Sequence, residues 1–137
     1  MVAVSFGEYA YVLLACVGIA FEYYLLTYAI TVLGRTRAFN RKFMDRFNKE
    51  HSAAFPSQKT APDFGYPDTG SGKYSRQLDY KSWVNYNNCV RVQMNFLEQL
   101  PMMLVFTAVF GIAFPKYAAY NGLSYVIGRL LYSIGYM

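Results

Sequence analysis

The chain has 137 residues, of which 55% are hydrophobic and 19% aromatic but only 15% charged, where a soluble domain carries about a quarter charged residues. That balance argues against a soluble enzyme. The 14 Tyr and 11 Phe argue against intrinsic disorder, since so much aromatic surface must be buried in a core, in lipid or against a partner, and the length holds a single domain.

From Tyr9 to Leu33 the chain runs 25 residues with Glu22 as its one charge, beyond the ~20 residues that a helix needs to cross a bilayer. This predicts a first transmembrane helix, 9–33. A signal peptide is the weaker alternative, because MVAVSFGE at the N-terminus has no basic region and the apolar run is too long.

Residues 34–82 differ in kind. They hold 10 of the 13 Lys and Arg, 5 of the 8 acids and the single His, with the turn cluster Tyr66-Pro67-Asp68-Thr69-Gly70-Ser71-Gly72. A basic extramembrane loop is predicted here. Its first part, Arg35 to Glu50, has enough helix formers to carry the first helix past the membrane surface, and the remainder is expected to lack regular structure. The basic excess keeps the loop on the cytosolic, stromal or matrix side and lets it touch anionic lipid heads. No nucleic acid partner is expected, because no binding motif accompanies the charge.

Two further helices are predicted, 84–114 and 117–136, joined by the short turn Phe114-Pro115-Lys116. The fold class is therefore all-α, an integral membrane helical bundle with three transmembrane helices. The N-terminus is expected opposite the basic loop and the C-terminus on its side. Cys16 and Cys89 fall in separate helices, so neither a disulfide framework nor a metal site is implied. Pro101 is expected to bend the second helix, since it removes a backbone donor and clashes with the preceding turn.

Polar residues interrupt these apolar helices in a pattern. Arg91, Asn95 and Glu98 recur at i, i+4 and i+7 and form one stripe; Arg129, Tyr132 and Tyr136 recur at i, i+3 and i+7, with Tyr125 one turn earlier. Such stripes face a bundle interior or a wet cavity, and they mark a site by default. Buried ion pairs, Arg91 with Glu98 or Glu98 with Arg129, are the structural alternative. A shared pocket is favoured because two guanidinium groups, an amide and two phenols offer more donors than one carboxylate can use. Which way Glu22 faces stays open.

The run Asn88-Cys89-Val90-Arg91-Val92-Gln93-Met94-Asn95-Phe96-Leu97-Glu98, followed by Pro101, resembles the second-helix signature of the MAPEG family, the membrane-associated proteins of eicosanoid and glutathione metabolism. Ile127-Gly128-Arg129-Leu130-Leu131-Tyr132-Ser133-Ile134-Gly135-Tyr136 resembles that family's third helix, and within the family the look is nearest to the third type of microsomal glutathione transferase. The resemblance implies a helical bundle that trimerises and holds glutathione between subunits. Carried over, Arg91, Gln93, Asn95, Glu98, Arg129, Tyr132 and Tyr136 match positions that line the glutathione site. The chemistry agrees: arginines suit the two carboxylates, Glu98 the ammonium, and the amide and phenols the peptide. Arg37, with Arg35 as an equally placed candidate, resembles a basic position that would stabilise the thiolate.

The departures are specific. Family members normally have a fourth helix, and transferring members often have an arginine shortly after the position of Tyr136; this sequence stops at Met137. Gln99 stands where several relatives have Tyr, and the loop is longer than usual. The resemblance implies a membrane-bound glutathione transferase or peroxidase acting on lipophilic electrophiles or lipid hydroperoxides. The alternative is a non-catalytic accessory subunit of a larger mitochondrial or plastid membrane complex. Partners are membrane lipids, with a homotrimer in the first case and other subunits in the second. The endoplasmic reticulum is the family's default location.

Overall fold

Away from water a backbone must satisfy its own N–H and C=O groups, and for a single apolar segment only a helix does so. In the computed structural model, which describes residues 6–137, the two longest apolar runs form α1 (Phe6–Ala38) and α4 (Tyr80–Ala113), of 33 and 34 residues. At 1.5 Å per residue each is roughly 50 Å long, more than a hydrocarbon core is thick. Both are long and apolar enough to cross a membrane. The protein is all-helical, with no strand among the described residues. A third long helix, α5 (Pro115–Tyr136), follows α4 after Phe114, and Pro115 starts it where a missing N–H costs nothing. Pro101 sits inside α4, which continues as one helix through it. Residues 1–5, part of the N-terminal stretch weighed against a signal peptide, lie outside the described residues.

The chain divides into two compact units, Met1–Tyr28 with Val92–Met137, and Ala29–Arg91. In the first unit the buried positions of α1 are Val12, Ile19 and Glu22, with Ala15 half-buried between them, a seam at helical spacing. On α5 the seam is Ala118, Gly122, Arg129 and Ser133. Small residues let these helices close up. A Cβ at Gly111 would lie 2.5 Å from Val12 Cγ1, and one at Gly122 would lie 2.8 Å from the Ala15 Cβ. The Tyr9 hydroxyl donates to the Ala108 carbonyl at 3.1 Å. The opposite faces stay greasy, with Leu14, Val17, Tyr24, Val105, Val109 and Leu131 all exposed, a surface suited to lipid and not to water.

In the second unit the first helix does not run on to Glu50; it stops at Ala38. Asn40 takes an extended backbone conformation (φ −66°, ψ 162°), and its side chain accepts the Phe43 N–H at 3.1 Å, capping a new helix, α2 (Arg41–Met44). A 3₁₀ turn, Asp45–Phe47, leads to α3 (Asn48–Ala54). After α3 the loop has little regular structure, as expected, apart from 3₁₀ turns at Asp63–Gly65 and Ser75–Gln77, yet it is folded. The physical reason is an aromatic core that the loop supplies to itself. Phe39, Phe43 and Phe47 recur every four residues and pack with Met44, Ala61 and Tyr86, the Phe39 and Tyr86 rings meeting edge to face at 4.8 Å. Gly65 has φ +66°, and a Cβ there would enter the Phe39 ring at 2.5 Å, so glycine is required.

Candidate functional site

The polar residues of α4 and α5 in the first unit converge on Arg129. Only 5% of Arg129 is exposed. Its Nη2 donates to the Val92 carbonyl at 3.2 Å, and its guanidinium lies 4.4 Å from the centre of the Phe96 ring and 4.8 Å from that of Tyr132. Phe96 is held edge to face by Tyr23 and Tyr125. Buried among aromatic faces, the guanidinium is met by the ring quadrupoles and one carbonyl. Arg129 Nε has no hydrogen-bond partner.

Around this arginine the structure gathers several residues singled out from the sequence. Asn95 Nδ2 donates to the Tyr132 hydroxyl oxygen at 2.6 Å, and the rings of Tyr132 and Tyr136 lie 5.3 Å apart. The Tyr125 hydroxyl donates to Gln99 Oε1 at 3.3 Å. Gln93 is half-buried. Arg91 and Glu98 differ: both are exposed on this chain. Neither the Arg91–Glu98 nor the Glu98–Arg129 ion pair is made among the described residues.

Glu22 was marked in the sequence only as the one charge in an apolar run. It is 7% exposed within its own chain, and neither carboxylate oxygen has a hydrogen-bond partner. Arg129 is the opposite charge that acts on it. A buried carboxylate and a buried guanidinium thus share one interior, each with polar atoms left over.

The two arginines at the end of α1 have different surroundings. Arg35 is buried; its Nη1 donates to the Phe64 carbonyl at 3.1 Å and its Nη2 to the Asp68 carbonyl at 2.5 Å. Its guanidinium also lies 4.1 Å from the Tyr66 ring centre. The Tyr86 hydroxyl donates to the same Asp68 carbonyl at 3.0 Å. The Asp68 carboxylate in turn accepts from the N–H groups of Gly70, Gly72 and Ser75 and from the Ser75 hydroxyl. Burial by itself raises the affinity of Asp68 for a proton, but those donors outweigh it together and hold the carboxyl below its ordinary value. Arg37 is exposed and lines a recess with Asn40, Lys42, Arg46, Gln77, Asp79 and Ser82. No group of three or more metal-ligating side chains occurs among the described residues.

The Asp68 clamp was missed from the sequence, where its residues read only as a turn cluster. The signal available was Asp68 followed at +2, +4 and +7 by Gly70, Gly72 and Ser75, small residues whose N–H groups can wrap a carboxylate.

Compared with known proteins, residues 12–137 match the family model described as MAPEG family. No solved structure matches the chain.

Proposed function

Since the chain belongs to the MAPEG family, we propose that it is a membrane-bound glutathione transferase or peroxidase of that family's third microsomal type, acting on lipophilic electrophiles or lipid hydroperoxides. The observation that carries this is the set of unmet polar groups on helices otherwise fit for lipid. Arg91 and Glu98 are exposed on α4 and make no ion pair among the described residues, and an uncompensated charge facing hydrocarbon costs about 2.5 kcal/mol or more. A zwitterionic, dicarboxylate peptide held between copies of this chain answers both charges.

In this proposal Arg91 and Arg129 take carboxylates, Glu98 the ammonium, and Gln93, Asn95, Tyr132 and Tyr136 the peptide groups. α5 is the third crossing of a bundle that trimerises, in the endoplasmic reticulum or an organelle membrane. The bound thiolate attacks the electrophile, or gives up electrons to a hydroperoxide with a second glutathione completing the disulfide. Of the two arginines proposed for thiol activation, Arg37 has an exposed guanidinium, whereas that of Arg35 is already engaged by the loop. Arg37 is therefore the one we assign to that role.

Calorimetry on the full chain in nanodiscs, titrated with glutathione, tests the proposal. Binding is expected, with Arg91→Ala weakening it by about 2 to 5 kcal/mol. The absence of heat at millimolar glutathione would overturn it.

A further inference from the structure

The basic residues of the loop fall into two groups. Arg41 is neutralised, with Nε 3.1 Å from Asp45 Oδ1 and Nη1 2.9 Å from Asp63 Oδ1, and Lys73 pairs with Glu50. Arg37, Lys42 and Arg46 make no ion pair among the described residues, and all three line one recess. Arg46 is steadied there by the Phe43 ring, 5.4 Å from its guanidinium carbon.

The walls of the recess are fixed. Asn40 is committed to capping α2, its Nδ2 donating to the Arg37 carbonyl and its oxygen accepting the Phe43 N–H. Asp79, the one carboxylate in the lining, accepts the Ser82 N–H at 3.1 Å and so opens α4. Gln77 contributes an exposed amide. Three cations against one carboxylate that already caps α4 give the recess a net positive lining. A carboxylate is satisfied by one guanidinium fork, whereas a phosphate monoester has the charge and the acceptor oxygens for all three cations and the amide.

We propose that this recess binds a phosphate monoester, held by Arg37, Lys42 and Arg46 with Gln77 beside them. The recess lies where α1 ends and α4 begins, so the phosphate comes either from a lipid headgroup or from a free solute. The site goes beyond the glutathione proposal and shares only Arg37 with it, so the variants are made at the other two cations.

The test uses the full chain, the double variant Lys42→Ala/Arg46→Ala, and a control of equal charge loss outside the recess, Lys49→Ala/Lys59→Ala. In one arm, native mass spectrometry counts phosphatidic acid retained from nanodiscs that mix it with phosphatidylcholine. In the other, calorimetry measures inorganic phosphate binding in phosphatidylcholine nanodiscs. Selective retention in the first arm identifies a lipid headgroup, and heat in the second a free phosphate. In the positive arm the recess variant should bind about tenfold more weakly while the control matches wild type. No binding in either arm, or equal loss in both variants, overturns the site. All four substituted side chains are exposed, and unchanged thermal unfolding confirms that the variants fold. Glutathione binding should be the same in both double variants, so failure of one proposal is read separately from failure of the other.

Discussion

Asn95 donates its side-chain N–H to the Tyr132 hydroxyl at 2.6 Å, tying α4 to α5 within the first compact unit. A hydrogen bond of this kind contributes about 1 kcal/mol net. Tyr132→Phe and Asn95→Ala should each destabilise the protein in detergent by about that amount, and the double variant should cost less than the sum. A double-mutant cycle on thermal unfolding measures this. Strict additivity would mean that the bond contributes nothing to stability.

Glu22 and Arg129 are coupled through burial and charge without a hydrogen bond between them. Removing Arg129 deletes its bond to Val92 and two ring contacts, and leaves the buried Glu22 carboxyl without that opposite charge. Arg129→Leu should therefore cost about 3 to 5 kcal/mol. Adding Glu22→Gln should return part of that loss, since a neutral amide is less costly to bury than a carboxyl that has lost its opposite charge. Denaturant unfolding of the two single variants and the double variant decides it; a double variant weaker than Arg129→Leu would show that Glu22 is stabilising on other grounds.

Asp68 makes the fold of the loop dependent on pH. Its carboxyl is held below the ordinary value in the folded protein, so the stabilisation is fully present above the unfolded-state value of about 3.9 and is lost as pH falls through the lower folded value. Limited proteolysis within residues 63–79 should be slow at neutral pH and rise only in strong acid. Asp68→Ala strands the donors of Gly70, Gly72 and Ser75, and should make that segment cleavable at neutral pH. Equal cleavage of wild type and variant would remove Asp68 as the loop's organiser.

The glycines of the first unit separate by their surroundings. Gly111→Ala must displace Val12 and Gly122→Ala must displace Ala15, so each should cost about 1 to 3 kcal/mol by overpacking. At Gly128 an added Cβ would meet nothing within 4 Å, and Gly128→Ala should stabilise the isolated chain by up to about 1 kcal/mol through helix propensity. Unfolding in detergent compares them. Loss at Gly128 would place a second copy of the chain against that face.

The sequence by itself determined the helices, because a long apolar run has no other way to satisfy its backbone in lipid and because the motifs around Arg91 and Arg129 carry the family. It also picked out Asn95, Arg129, Tyr132 and Tyr136, whose spacing puts them on helix faces. It did not separate buried Arg129 from exposed Arg91, since periodicity assigns residues to a face while the neighbouring helix decides which face is covered. The same limit hid the interior position of Glu22. In the loop, Arg35 looked no different from Arg37, yet only Arg35 is enclosed by carbonyls from residues 64 and 68. Those partners lie 29 and 33 positions along the chain, and nothing local to Arg35 announces them; only closing the loop around the rings of Phe39, Phe43 and Phe47 brings them within reach.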